Sequence, residues 1–152
     1  MTPTLSQTQL RVPTRIHSTL RELGLLGVGG AAYYSLEILC RGYSHWSMAL
    51  CGGICLDGIF HLNRAMQEKP ILLRATLCGG LITTVELVCG CLVNLTFRLD
   101  VWDYSHLPLN FLGQICLPFT LLWIALSLPV CAALSRLDRG KKRKNRCSKN
   151  NT

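Results

Sequence analysis

The sequence predicts an all-α integral membrane protein, a compact bundle of four transmembrane helices with both termini in the cytoplasm. Three observations support this prediction. Hydrophobic residues make up 49% of the chain and the mean hydropathy is +0.31, four long apolar segments follow one another, and the basic residues gather on one side of them. A chain of 152 residues has room for one compact bundle. The bundle is therefore expected to be the whole folded domain.

The four predicted spans cover residues 23–40, 46–62, 75–97 and 111–134. About 20 apolar residues are enough to cross a bilayer as a helix. Residues 1–22 are predicted to be a polar, flexible or surface-lying cytoplasmic segment. They lack the short apolar core and cleavage site of a signal peptide, so the first span is expected to remain in the mature protein.

Short connections join the predicted spans. A tight hairpin at residues 41–45 joins the first two, and a loop at 63–74 joins the second and third. In that loop Pro70 marks a helix start, because proline is accepted in the first helical turn. In the fourth span Pro118 removes a helix hydrogen bond, which predicts a kink close to Gln114.

Basic residues set the predicted orientation. With both termini inside, only Arg41 and Arg98 of the 16 Lys and Arg residues face outward, as the retention of positive charge in the cytoplasm requires. Residues 135–152 form a basic cytoplasmic tail, and topology and contact with anionic membrane lipid explain it better than a nucleic-acid partner. The net charge of +8 comes mostly from this tail and not from the apolar body, which indicates a membrane protein with a basic terminus and not a nucleic-acid-binding domain.

The third span carries an acid in an otherwise apolar run. Five small or polar residues share one helical stripe: Gly79, Thr83, Glu86, Gly90 and Asn94. Such a stripe allows close helix packing and hydrogen bonds between helices. Glu86 is therefore expected to face the bundle interior or a cavity, as a functional acid or as a structural one bonded to Thr83 or a neighbouring helix.

Two further acids lie in the first two spans. Asp57 and His61 belong to a second polar stripe, and they either take part in a polar path with Glu86 or form a locally paired helix end with Arg64. Glu37 precedes Arg41 by one turn, and mutual neutralisation is the favoured explanation for that pair. The predicted intramembrane polar site comprises Glu86, Asp57, His61, Thr83 and Asn94.

The segment DVWDYSHLPLNFLGQICL, residues 100–117, is the most distinctive string of the chain. Aromatic rings and a proline predict a turn at the outer membrane interface, and Asp103 and Ser105 can cap it through backbone amides. The predicted outer interfacial motif consists of Trp102, Asp103, Tyr104, Ser105, Pro108, Asn110 and Gly113.

Together with Glu86 and the continuation PFTLLW to Trp123, this string resembles the bacterial family of CmpB-like ABC-transporter type IV permeases. The resemblance covers chiefly residues 79–127 and places Cys116 among the matching positions. It implies a multi-pass permease-like subunit in the bacterial cytoplasmic membrane. Since no G-x-x-x-x-G-K-[ST] motif occurs, any ATPase is a separate subunit. Four spans are few for a complete permease, so a homo-oligomer is expected.

Three classes of function remain open on the sequence. The first is the permease-like subunit, whose substrate path is lined by Glu86 and the outer motif. The second is a self-sufficient small channel or proton-coupled exporter that uses Glu86. The third is a non-transport membrane protein, either an assembly factor or an intramembrane enzyme. An enzyme pairing Glu86 with Asp103 is disfavoured, because 17 residues of unbroken helix would separate them by about 25 Å; Asp103 with His106 survives this argument.

No cofactor, metal site or set of catalytic residues is predicted. The nine cysteines lie almost entirely in apolar segments, where cysteine behaves as a small hydrophobic residue. Cys51 and Cys55 are one helical turn apart, but a second pair with zinc-binding spacing is missing.

Overall fold

The computed structural model describes the backbone of residues 14–149 and the side chains of residues 18–39 and 42–140. The elements are α1 (Thr14–Arg41), α2 (Trp46–Ala65), α3 (Ile71–Gly90), a π-helical segment (Cys91–Thr96), the short strands β1 (Asn110–Phe111) and β2 (Ile115–Cys116), and α4 (Leu117–Lys149). The prediction of a predominantly helical fold is confirmed. Within the described residues, Ile71–Thr96 and Leu117–Gly140 are long and apolar enough to cross a membrane.

The helices pack in sequence order as two close pairs, α1 on α2 and α3 on α4, with α2 also packed against α3. Glycine brings the first pair together, since a Cβ atom on Gly29 would lie 2.6 Å from the carbonyl oxygen of Gly52. In the second pair, a Cβ atom on Gly79 would lie 2.8 Å from the backbone nitrogen of Ile124. Small residues thus permit the backbone approach on which helix association in membranes depends.

The core between the helices is built largely of small apolar side chains. Cys78 and Cys131 are fully buried with their sulfur atoms 3.7 Å apart, and both cysteines are free thiols. The buried members of this core are Cys51, Cys55, Ile59, Cys78, Ile82, Trp123 and Cys131. Trp123 is the one large aromatic ring in this set, and it lies where α4 faces the other helices.

The predicted start of the fourth span at residue 111 is wrong, and so is the predicted kink at Pro118. Residues 110–116 form an antiparallel hairpin in which Asn110 pairs with Cys116. Leu112 (φ 54°) and Gly113 (φ 67°) in the hairpin loop have left-handed backbone conformations that a right-handed helix does not contain. Since α4 begins at Leu117, Pro118 lies in its first turn, where a missing N–H breaks no helical bond.

Other boundaries move outward from the predicted ones. The helix α1 begins at Thr14, so residues 14–22 of the expected polar segment are helical, while Arg11 lies outside the described residues. Pro70 immediately precedes α3, which confirms it as the marker of a helix start. Arg74, assigned to a loop, instead belongs to the first turn of α3 and is only 6% exposed.

Candidate functional site

Glu86 lies on the buried face of α3 and is bonded to α4. Its side chain is 1% exposed, and the indole Nε1 of Trp123 donates a hydrogen bond of 2.7 Å to its Oε2 atom. The other carboxyl oxygen, Oε1, is buried and has no hydrogen-bond partner among the described residues. A buried polar atom without a partner is costly. This oxygen is therefore a place where a proton or a donor group from a ligand can be accepted.

Thr83 and Asn94, the other predicted polar residues of the third span, have separate partners. Thr83 Oγ1 bonds to the carbonyl oxygen of Gly79 at 3.0 Å and to Thr120 Oγ1 at 3.2 Å. Asn94 Nδ2 donates to the Trp102 carbonyl oxygen at 2.9 Å, and its Oδ1 accepts from the Val101 amide at 2.8 Å. Thr83 thus bonds α3 to α4, and Asn94 bonds the π-helical segment to the backbone of Val101 and Trp102. The partner of Glu86 is the neighbouring helix and not Thr83.

Asp57 and His61 lie together on α2 but away from the buried acid. His61 Nε2 is 3.7 Å from Asp57 Oδ1, and the two side chains are 50% and 29% exposed. Within the described part of the chain, no hydrogen bond or ion pair connects either residue to Glu86. The five residues of the predicted polar site therefore fall into separate groups. Glu37 accepts a hydrogen bond of 2.6 Å from Ser44 Oγ, whereas the Arg41 side chain lies outside the described residues.

The predicted outer motif folds into a compact cap, defined here as residues 98–116. Asp103 caps its own turn, because Oδ1 accepts from the Ser105 amide at 2.8 Å and Oδ2 from Ser105 Oγ at 2.7 Å. These donors and the nearby His106 hold the pKa of the Asp103 carboxyl below its usual range. Asp103 thus bonds to a backbone amide as predicted, whereas the Ser105 hydroxyl donates to the Asp103 carboxyl.

Other motif residues close the cap onto itself. Asn110 Nδ2 donates to the carbonyl oxygens of Ser105 and Leu107 at 3.1 and 2.8 Å, and Pro108 lies in the exposed turn between them and Asn110. Gly113 (φ 67°) takes a left-handed conformation, and an added Cβ would lie 2.6 Å from Asp103 Oδ1. Only glycine fits both constraints without strain.

Gln114 fastens the cap to the π-helical segment that continues α3, a role that sequence reasoning missed. Its Oε1 accepts a hydrogen bond of 2.8 Å from Asn94 Nδ2, and its carbonyl oxygen accepts one of 3.0 Å from Trp102 Nε1. The side chains of Asn94, Trp102 and Gln114 are all buried. The sequence did contain a signal for this role, a single glutamine in an apolar string. A glutamine buried there needs several hydrogen-bond partners, which indicates that it joins neighbouring segments.

A cavity of about 390 Å³ opens between α1, α4 and the cap. Its walls carry the two acids Glu37 and Asp103, together with His106. Five aromatic residues line it: Tyr33, Trp102, Tyr104, Phe119 and Trp123. A second, apolar cavity of about 190 Å³ adjoins it on the α2 side and shares Tyr33 and Trp123 as walls. Glu86 thus lies directly behind Trp123, a ring that lines both cavities.

At the opposite end of the bundle, Arg74 is enclosed by α2 and α4. Its Nη1 atom donates to Asn63 Oδ1 at 2.8 Å and to Ser135 Oγ at 2.9 Å, while its Nε is buried without a partner in the described residues. Arg74 is therefore enclosed by the helices and does not lie in the predicted loop 63–74. Arg64 and Lys69, in contrast, are exposed.

Comparison with known proteins assigns the family. No curated protein and no solved structure matches the chain. A protein family described as "Putative ABC-transporter type IV" matches residues 52–139, which is more than half of the chain. The match includes Glu86, the cap and Trp123, and it leaves α1 outside. Together with the two long apolar helices, it supports a membrane protein related to ABC transporters. The chain belongs to this ABC-transporter type IV family.

Proposed function

We propose that the chain is a permease-like subunit of an ABC transporter in the bacterial cytoplasmic membrane, and that a separate polypeptide supplies the ATPase. The observation that carries the proposal is the cavity between α1, α4 and the cap, which has a buried acid directly behind its Trp123 wall. A polar group at the edge of an otherwise apolar cavity is typical of a small-molecule site. The family match is compatible with an ATPase partner.

The proposal places four spans in the membrane and both termini in the cytoplasm, with residues 23–134 as the transmembrane domain, 1–22 as a polar segment and 135–152 as a basic tail. Large apolar side chains exposed on α1 and α2 support this arrangement. They include Leu23, Val28 and Leu39 on α1 and Leu50 and Ile54 on α2. Soluble proteins rarely expose apolar surface of this extent, whereas lipid covers it at no cost.

A working transporter needs more than one such chain. Four helices enclose only a small cavity, and α1 and α4 flank it without packing closely on each other along their lengths. We therefore include a homo-oligomer in the proposal, with membrane lipid around it. Arg64 in the last turn of α2 and Lys69 in the connection to α3 are both exposed. They lie on the proposed cytoplasmic face and are the docking residues proposed for the ATPase.

Co-purification from the native cell in mild detergent tests the proposal. The tagged chain is expected to retain an ATPase detected by mass spectrometry, and the double variant Arg64→Gln/Lys69→Gln is expected to lose it. Arg98→Gln, which changes an exposed arginine in the cap at the opposite end of the bundle, is the matched control and should retain it. Arg74 stays unchanged because it is buried in the fold. Recovery of this chain alone from the unmodified protein would refute the permease-subunit proposal.

The unpartnered Glu86 Oε1 favours a second candidate, a proton-coupled exporter. A carboxyl group that takes up and releases a proton needs an oxygen atom that is not already hydrogen-bonded to another group of the protein. Glu86→Gln preserves an acceptor for Trp123 Nε1 and removes the titrating group. In proteoliposomes this variant is expected to abolish proton flux while it assembles normally. Unchanged flux in the variant would eliminate this candidate.

A further inference from the structure

We propose that the cavity around Arg74 binds a phosphate group, either that of a lipid headgroup or free inorganic phosphate. This Arg74 cavity has a volume of about 250 Å³ and lies against α4, where α2 ends and α3 begins. All of its lining residues are polar: Gln67, Glu68, Arg74, Ser135 and Arg139. It therefore differs from the two cavities beside Trp123, whose walls are largely apolar.

One edge of the Arg74 guanidinium has no partner within the described part of the chain. Nη1 donates to Asn63 Oδ1 at 2.8 Å and to Ser135 Oγ at 2.9 Å. Nε is buried without a partner, and Nη2 makes no hydrogen bond to a described residue. The N–H groups of Nε and Nη2 lie side by side on the same edge of the planar guanidinium. Two parallel donors of this kind form the fork that binds two oxygen atoms of a phosphate.

The buried charge of Arg74 has no carboxylate to balance it. Its side chain is 6% exposed, and arginine keeps its charge in proteins. All eight Asp and Glu residues of the chain belong to the part whose side chains the structure describes, and Arg74 forms an ion pair with none of them. A buried charge without a counterion is costly. An anion from outside the chain would remove this cost.

The charges around the cavity also favour an anion. Arg139 adds a second guanidinium to the wall, whereas Glu68 is the one acid among the described residues that line it, and Glu68 is exposed. Asp138 is next to Arg139 in the chain, and its Oδ2 atom accepts a hydrogen bond of 2.8 Å from Gln67 Nε2. The sequence that follows Gly140, KKRKNR, contains only basic and neutral residues. Basic clusters at the end of a membrane helix attract anionic lipid.

The size and lining of the cavity suit a phosphate group better than a larger ligand. Its volume of about 250 Å³ lies below the range of about 300–1,000 Å³ that is typical of sites for whole organic molecules. Among the described residues that line it, none has an apolar side chain, so the acyl chains of a bound lipid would remain in the bilayer. The proposed topology places this end of the bundle at the cytoplasmic membrane surface, where lipid phosphates lie.

Two binding measurements on the purified full-length chain test the inference and distinguish the sources of phosphate. Dodecyl maltoside keeps the chain in solution without supplying a phosphate group. Calorimetry measures the binding of inorganic phosphate, with sodium chloride at the same ionic strength as the blank. Native mass spectrometry compares the retention of phosphatidylglycerol with that of a diacylglycerol that has the same chains and no phosphate. We expect saturable binding of at least one phosphate probe, and retention of phosphatidylglycerol at least about fivefold above that of the diacylglycerol.

Substitutions in the cavity wall are expected to change the affinity in opposite directions. Arg139→Gln removes the exposed guanidinium, and we expect about a fivefold loss of affinity for the phosphate probe, the scale of one basic residue near an anionic group. Glu68→Gln removes the acid and should produce a gain of similar size. Arg136→Gln changes an exposed arginine of α4 that does not line the cavity, and this matched control should bind like the unmodified protein. All three side chains are exposed, so the variants are expected to fold.

Binding of inorganic phosphate would show that free phosphate reaches the site, whereas binding of phosphatidylglycerol alone would assign the site to a lipid headgroup. Either result upholds the inference. Equal retention of phosphatidylglycerol and the diacylglycerol, with no binding of inorganic phosphate, would overturn it, and this comparison requires no variant. Equal losses in Arg139→Gln and Arg136→Gln would also overturn it, because the basic surface as a whole would then account for binding. None of these measurements involves an ATPase, so this inference and the permease-subunit proposal can fail separately.

Discussion

The indole nitrogen of Trp123 and the Oε2 atom of Glu86 are 2.7 Å apart, and this hydrogen bond joins α4 to α3 beside the cavity. Both side chains are buried, at 7% and 1% exposure. Trp123 also lines the cavity, so the position of this wall depends on the hydrogen bond to Glu86.

Trp123→Phe should lower stability through the loss of this hydrogen bond. Because the variant leaves both carboxyl oxygens without a partner, we expect a loss of about 1–2 kcal/mol, the scale of hydrogen bonds between membrane helices. Detergent-induced unfolding of Trp123→Phe, Glu86→Leu and the double variant would measure the coupling. Trp46→Phe, at a tryptophan that is 68% exposed, is the control. Strictly additive effects would show that the bond contributes nothing.

Gly79 and its neighbour Gly80 offer a matched pair of substitutions. A Cβ on Gly79 would meet the backbone of Ile124 at 2.8 Å, whereas nothing lies within 4 Å of a Cβ on Gly80. We expect Gly79→Ala to destabilise the fold by about 1–3 kcal/mol, as overpacking does. Gly80→Ala should be neutral or stabilising by up to about 1 kcal/mol, because alanine favours the helix. Equal unfolding midpoints for the two variants would contradict the close packing of α3 on α4.

Arg74→Gln should damage the fold, whereas Arg64→Gln should not. Arg74 is buried and donates to Asn63 and Ser135, so its replacement removes two hydrogen bonds and is expected to cost about 2 kcal/mol. Exposed surface substitutions such as Arg64→Gln usually change stability by less than about 0.5 kcal/mol. Thermal unfolding in detergent would compare them. A fully stable Arg74→Gln protein would show that this buried guanidinium is dispensable.

Ser105→Ala should raise the pKa of Asp103 toward its usual value of 3.8, because it removes the hydroxyl that donates to Oδ2. The folded-state pKa is depressed, so the stabilisation from this group is present above the unfolded-state pKa and is lost as pH falls through the folded-state pKa. Carbon NMR of labelled aspartate, assigned with Asp103→Asn, would follow the titration. His106 is the neighbouring basic group, and its replacement should produce a smaller rise. An unchanged titration in Ser105→Ala would contradict the hydroxyl contact.

Hydropathy located the helices well but misplaced the beginning of α4. Residues 110–116 read NFLGQIC, which is as apolar as the helix that follows, so composition could not separate the hairpin from the span. The left-handed conformations of Leu109 and Leu112 have no sequence signal, because leucine rarely adopts them. Both leucines lie beside side-chain bonds: Leu109 precedes Asn110, which donates to the Leu107 carbonyl oxygen, and the Leu112 carbonyl oxygen accepts from Gln114 Nε2.

The site was only partly predictable for the same reason. The stripe of small and polar residues on α3 correctly indicated that Glu86 faces other helices, since that property depends on one helix alone. Its partner Trp123 depends on how α3 and α4 align, which a single sequence does not specify. Arg74 was assigned to an exposed loop because charge usually marks a surface; Asn63 and Ser135, distant in sequence, provide the acceptors that allow its burial.

The π-helical segment Cys91–Thr96 sets the angle between the cap and the bundle. Its wide turn is closed by a bond from the Phe97 amide to the Leu92 carbonyl oxygen, five residues apart, and so contains one residue more than an α-helical turn. Each helical residue rotates the chain by about 100°. Deleting Leu92 would therefore swing Asn94 away from Val101 and Trp102 while the preceding helix kept its packing. The number of residues in this one turn therefore determines whether Asn94 can bond to Val101 and Trp102, and so where the aromatic residues of the cap lie relative to the helices.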